Sequence, residues 1–221
     1  MSDFSCGIMM GNNHKDVAVN YLEPDTVLIR LSNEWLCRLS ESDSREMVVE
    51  NYSQAVLDMS VKIPLLHIRH HEDHGFELGI LHNKKIAFYF YVEYAIESNF
   101  SFNVGTELYG DDFAILMTKP DVKERVNSEV RSRYHEVDEK IERCFASIND
   151  INIKQFKLFG FDDEWCAKAR NLLTASNYKK DGTFTCQIND LLAMLGLENF
   201  SFVSHRYVCL GDDNFEVVER G

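Results

Sequence analysis

Residues 67–75 read HIRHHEDHG and hold four of the chain's eight histidines beside two acids. Neutral imidazoles and carboxylates are the ligands of zinc and manganese. A metal held there would activate water for hydrolysis of an ester or phosphodiester. His67, His70, His71 and His74 stand at i, i+3, i+4 and i+7, a spacing that a helix would turn to one face. The neighbours favour a strand instead, because Pro64 precedes, Leu65, Leu66 and Ile68 are strand-like, and Gly75 follows. On a strand, His67 and Arg69 share one face and Leu66 and Ile68 the other. His70–His74 then form the connection of a hairpin. His70, His71, Asp73 and His74 are the candidate ligands for a divalent metal, with Glu72 beside them. The competing reading is a solvated polar rim where a strand leaves the core.

Further carboxylates could serve a metal-dependent hydrolase or nuclease, namely Asp111-Asp112 and Asp162-Asp163-Glu164. The second group opens an expected helix, where acids complement the macrodipole. MGNNH after the first strand lacks both the G-x-G-x-x-G pattern and the Lys-Ser/Thr of a phosphate loop. The six cysteines are scattered with no C-x-x-C pair, as reduced, packed cysteines would be. The sequence therefore assigns no catalytic residue.

The net charge is −13, with acids outnumbering bases 18 to 9 in residues 1–120. Nucleic-acid binding needs a basic face, and an anionic membrane surface needs the same. Both are disfavoured, whereas a protein partner, possibly basic, is compatible. No apolar run reaches the roughly 20 residues that span a bilayer, and the first residues lack a secretion signal. A cytoplasmic protein is expected.

Tyr89 and Tyr91 alternate with Phe88, Phe90 and Val92 along KIAFYFYVEY. With Trp35, they form a candidate amphipathic binding surface of the type enriched at interfaces. Packing beneath a helix is the alternative use.

The elements that position these residues follow from periodicity. FSCGIMM, TVLIRL, WLCRL, LLHIRH, FELGILH and KIAFYFYVEY read as strands, and HKDVAVNYL as a short helix. SESDSREMVVENYSQAVLDMS reads as one helix with an Asp43/Glu46 capping box. The order β-α-β-β-α-β plus a hairpin predicts an α+β fold, with a ferredoxin-like (split βαβ) sheet over residues 1–95. Residues 96–118 do not declare their structure. From Pro120 to Phe145 a single apolar stripe predicts one helix of roughly 40 Å. Three short helices should follow, then a strand over FSFVSHRYVCL and a fraying acidic tail. The expected domains are 1–118 (sheet), 119–147 (long helix) and 148–221 (helical subdomain with terminal strand).

The functional expectation is an acidic binding or regulatory protein of immunity, inhibitor or adaptor type, without a resident cofactor. The rival is the metal-dependent hydrolase or nuclease on residues 67–74. A small-molecule pocket between the sheet and the C-terminal helices is a third possibility.

Overall fold

The computed structural model describes residues 4–71, 74–181, 184–198, 200, 203–209 and 215–221. Among these residues seven strands form one antiparallel sheet: β1 (Phe4–Gly11), β2 (Val27–Arg30), β3 (Trp35–Leu39), β4 (Leu65–His71), β5 (Gly75–His82), β6 (Lys85–Glu93) and β7 (Glu216–Arg220). Their order across the sheet is β6-β5-β4-β1-β3-β2-β7. The β5–β6 hairpin turns tightly because Asn83 and Lys84 both adopt positive φ, at 52° and 61°. Their amides are held by the Ser60 carbonyl and hydroxyl, each at 2.9 Å.

Among the described residues there are ten α-helices: α1 (Lys15–Val19), α2 (Gln54–Lys62), α3 (Ile96–Tyr109), α4 (Phe113–Leu116), α5 (Pro120–Ser132), α6 (Tyr134–Phe145), α7 (Asp163–Leu172), α8 (Ala175–Asp181), α9 (Phe184–Met194) and α10 (His205–Cys209). Among the described residues, none is long and apolar enough to cross a membrane. Side chains of alternate strand residues point to opposite faces. Ile8, Met10, Leu28 and Leu36 therefore pack with Ala18 of α1 and with Val56 and Met59 of α2. Met9, Ile29, Ile68, Leu78 and Phe90 face the other way and share the largest core with α6, α7 and α9. The C-terminal helices and the sheet thus have a common core.

Four expectations need correction. The single helix expected over residues 40–60 is instead two 3-10 turns, Glu41–Ser44 and Val49–Asn51, followed by α2. Asp43 does not cap a helix, because Arg38 draws it into the interior at 2.8 Å. The cap of α2 is Ser53, which accepts from the Val56 amide. The long helix breaks at Arg133 (φ −108°, ψ 15°). Its two halves bury in different cores: Val122 and Val126 against Val104 and Phe113, Val137 and Ile141 against the sheet. Arg133 ties the joint to Glu136 at 2.7 Å and to Glu107 at 2.5 Å. The strand expected over residues 200–210 is helical over His205–Cys209, and the tail expected to fray supplies β7. That tail finds an open hydrogen-bonding edge on β2, and Arg30 binds Glu216 at 3.0 Å. Lastly, β4 continues through His71, so that His70 and His71 belong to the strand.

Candidate functional site

The helices α1 and α2 cover only part of their face of the sheet. Beyond them, β4, β5 and β6 present a row of polar residues where the apolar alternation lapses. Cross-strand register sets Arg69 opposite Glu77 and Glu77 opposite Tyr91, while His67 faces Gly79 and Gly79 faces Tyr89. Over this patch runs the segment between the two 3-10 turns, carrying Glu46, Met47 and Val48. Strands and segment enclose an open groove of about 720 Å³, with Arg69, His71, His74, Glu77, Tyr89 and Tyr91 among its lining.

Glu77 organises the groove. Its side chain is buried and pairs with Arg69. Its Oε1 accepts the Tyr89 hydroxyl at 2.9 Å and the Met47 amide at 3.3 Å. Glu77 thereby fixes a cation, an aromatic ring and the crossing segment. Met47 seats over Gly79, where a Cβ would lie 2.8 Å from its sulfur. A Cβ here would push the flexible Met47 tip aside.

Behind this wall lies a second set of buried polar contacts. His67 Nε2 lies 2.9 Å from the Asp43 carbonyl, which can only accept, so this nitrogen carries the proton. Nδ1 then accepts from the Tyr52 hydroxyl, also at 2.9 Å. Burial holds the His67 imidazole down at about 3, so it stays neutral. Burial pushes the Asp43 carboxyl up to about 6, with Arg38 pulling the other way. Arg38 also reaches Glu23 at 2.8 Å, and Glu23 accepts from Ser53 at 2.6 Å. The segment from Asp43 to Ser53 is tethered along its length to β3, β4 and β5.

The candidate metal ligands separate by strand alternation. His71 and His74 line the groove with ring centroids 6.2 Å apart. Burial, then the nearby Arg69 cation, holds His71 at about 4. His70 points to the opposite face and packs edge-on against Phe76 at 5.7 Å and Tyr94 at 5.9 Å. His67 is committed to Tyr52 and Asp43. Asp73 and Glu72 lie outside the described residues. Among the described residues, no three His, Cys, Asp or Glu side chains gather as a metal site.

Of the expected aromatic set, Tyr89 and Tyr91 stand together in the groove, 41% and 45% exposed. Trp35 does not join them. It is buried on the other face, where its Nε1 donates to the Leu195 carbonyl at 2.7 Å and its ring packs on Phe159. Sequence reasoning missed Arg69 and Glu77. Their signal was present, since each is the lone charge in an otherwise strand-like run and the two are opposite in sign. No family model, no curated protein and no solved structure matches this chain.

Proposed function

We propose that this chain is a non-catalytic, cytoplasmic binding protein that engages a protein partner through the β4–β6 groove. The observation that carries this reading is the state of the two groove tyrosines. They stand half-exposed on a strand whose alternate residues Phe88, Phe90 and Val92 are fully packed. Tyr89 is oriented by a buried carboxylate rather than left to rotate. Rigid, amphipathic rings over a concave surface are what interfaces use as anchors, because little conformational freedom is lost on binding.

The net charge of −13 favours a partner surface of basic character and opposes nucleic acid. A role of immunity, inhibitor or adaptor type is compatible with that reading. The antiparallel order β4-β1-β3-β2, with α1 and α2 in the crossovers after β1 and β3, supports a ferredoxin-like (split βαβ) reading of residues 4–71.

The test compares affinity capture from the native host by the parent and by a Tyr89→Ala/Tyr91→Ala variant of unchanged circular dichroism. A partner bound by the parent and released by the variant supports the reading. Equal capture by both, or none by either, overturns it. Stoichiometric zinc or manganese lost on changing His71 and His74 to Ala would instead favour metal-dependent hydrolysis.

A further inference from the structure

A second cleft, sharing no lining residue with the β4–β6 groove, opens where the sheet meets the C-terminal helices. Its volume is about 630 Å³, a size that small-molecule sites use. One side of it is built by two turns. The Asn12 amide donates to the Glu34 carbonyl at 2.7 Å, and the Asn12 carboxamide to the Asn33 carbonyl at 3.2 Å. These bonds staple the turn after β1 to the turn between β2 and β3. The Ser32 hydroxyl accepts from the Glu34 and Trp35 amides, both at 3.2 Å, and fixes the second turn from within. Asn13, His14, Asn33 and Glu34 are thereby brought to one side of the cleft. Among the described residues, none of these four side chains makes a hydrogen bond or an ion pair.

The other side is apolar and comes from the segment before α7, which carries Leu158, Phe159 and Phe161. Gly160 reverses the chain between the two phenylalanines at φ 90°, a conformation that favours glycine. Phe159 packs on Trp35 with ring centroids 5.6 Å apart, and Phe161 stacks on Trp165 at 4.3 Å. Both indoles are anchored to consecutive carbonyls at the end of α9. Trp165 donates to Met194 at 2.9 Å and Trp35 to Leu195 at 2.7 Å. The aromatic side is therefore held in place before any ligand arrives.

We infer that this cleft binds an uncharged nucleoside, with its base against the phenylalanine side and its ribose hydroxyls on Glu34. A planar base stacks on aromatic rings whatever its sequence identity. The Asn13 and Asn33 carboxamides each offer a donor and an acceptor, the pair that a base edge presents in return. A carboxylate that accepts from ribose hydroxyls is the device used by dinucleotide-binding folds. The phosphate is what this cleft refuses. Among the described residues no Lys or Arg lines it, and Glu34 would repel an anion. The inference does not depend on what fills the β4–β6 groove.

Tryptophan fluorescence of the full chain tests this, because Trp35 lines the cleft and Trp165 lies behind Phe161. The chain is titrated to millimolar concentration with adenosine, guanosine, cytidine and uridine, and with the monophosphate of each. At least one nucleoside should give a saturable change, and its monophosphate should bind about tenfold more weakly or worse. Glu34 and Asn33 are exposed, so Glu34→Ala and Asn33→Ala should leave circular dichroism unchanged. Both should weaken nucleoside binding, Glu34→Ala by about tenfold. Saturation by none of the nucleosides, a monophosphate that binds as tightly as its nucleoside, or an affinity that neither substitution lowers overturns the inference.

Discussion

The two faces of β4, β5 and β6 are held by different physics. On one, Ile68, Phe76, Leu78, Phe88, Phe90 and Val92 pack beneath α6 and the C-terminal helices. On the other, His67, Arg69, Glu77 and Tyr89 are joined to Asp43, Met47 and Tyr52 by directed hydrogen bonds. Apolar packing is non-directional and roughly additive in buried area. A buried polar network works only as a connected set, because a donor or acceptor left without a partner costs more than a bond contributes. The first face can supply stability. The second can hold side chains at fixed positions around a groove open to water.

The largest effect should therefore fall on the covered face. Phe90→Ala removes a fully buried ring and should lower the unfolding free energy by about 3–5 kcal/mol, read by urea denaturation. Tyr91→Ala, one residue along and 45% exposed, should cost less than about 1 kcal/mol. Equal losses would erase the distinction between the faces. Next in size is Glu77→Ala, which leaves the largely buried Arg69 without its counter-charge, at a cost of about 3 kcal/mol. Glu77→Gln keeps an acceptor for Tyr89 and Met47 and should recover part of that loss. A Gln variant no better than the Ala variant would mean that the charge alone matters.

Acid should separate the faces further, since His67, His71 and Asp43, whose shifted values fall in the acid range, lie on the polar side. The fold favours neutral His67, whose folded value of about 3 lies below its ordinary 6.5. Its contribution is fully present above pH 6.5 and is lost as pH falls towards 3. Asp43 has the opposite sign. Its folded value of about 6 lies above the ordinary 3.8, so its contribution is present below pH 3.8 and lost as pH rises through 6. Between pH 6 and 4 the two slopes oppose each other. Asp43→Asn removes one of them, so its denaturation midpoints should fall more steeply from pH 6.5 to 4 than those of the parent. The excess loss should be roughly 3 kcal/mol. Parallel pH profiles for parent and variant would show that the two groups do not compensate.

The covered face was also the more legible one. Period-two alternation located β1 to β6 within a few residues, because burial of alternate side chains leaves a direct trace in the sequence. The polar face was only half readable. Tyr89 and Tyr91 were visible as polar-tipped residues in an apolar strand. Nothing local indicated that Asp43 would turn inward to Arg38, or that Met47 would lend its amide to Glu77 from 30 residues away. A helix was expected there because the spacing of Val48, Tyr52 and Ala55 fits one, and tertiary hydrogen bonds overrode that propensity. The histidines illustrate the same limit. Their spacing suggested a cluster, but alternation along β4 sends His70 and His71 to opposite faces. The break at Arg133 was hidden because one continuous stripe serves two separate cores.

The smallest expected effect is the most discriminating for the groove. Tyr89→Phe keeps the ring and removes only the hydroxyl that donates to Glu77 at 2.9 Å. Glu77 retains Arg69 and the Met47 amide, so stability should fall by about 0.5–1 kcal/mol. If the ring is the anchor and the hydrogen bond merely orients it, the loss of partner affinity should be modest and well below that of Tyr89→Ala. A Phe variant as weak as the Ala variant would make the oriented hydroxyl the decisive feature, and the groove would then act through its polar network rather than through aromatic area.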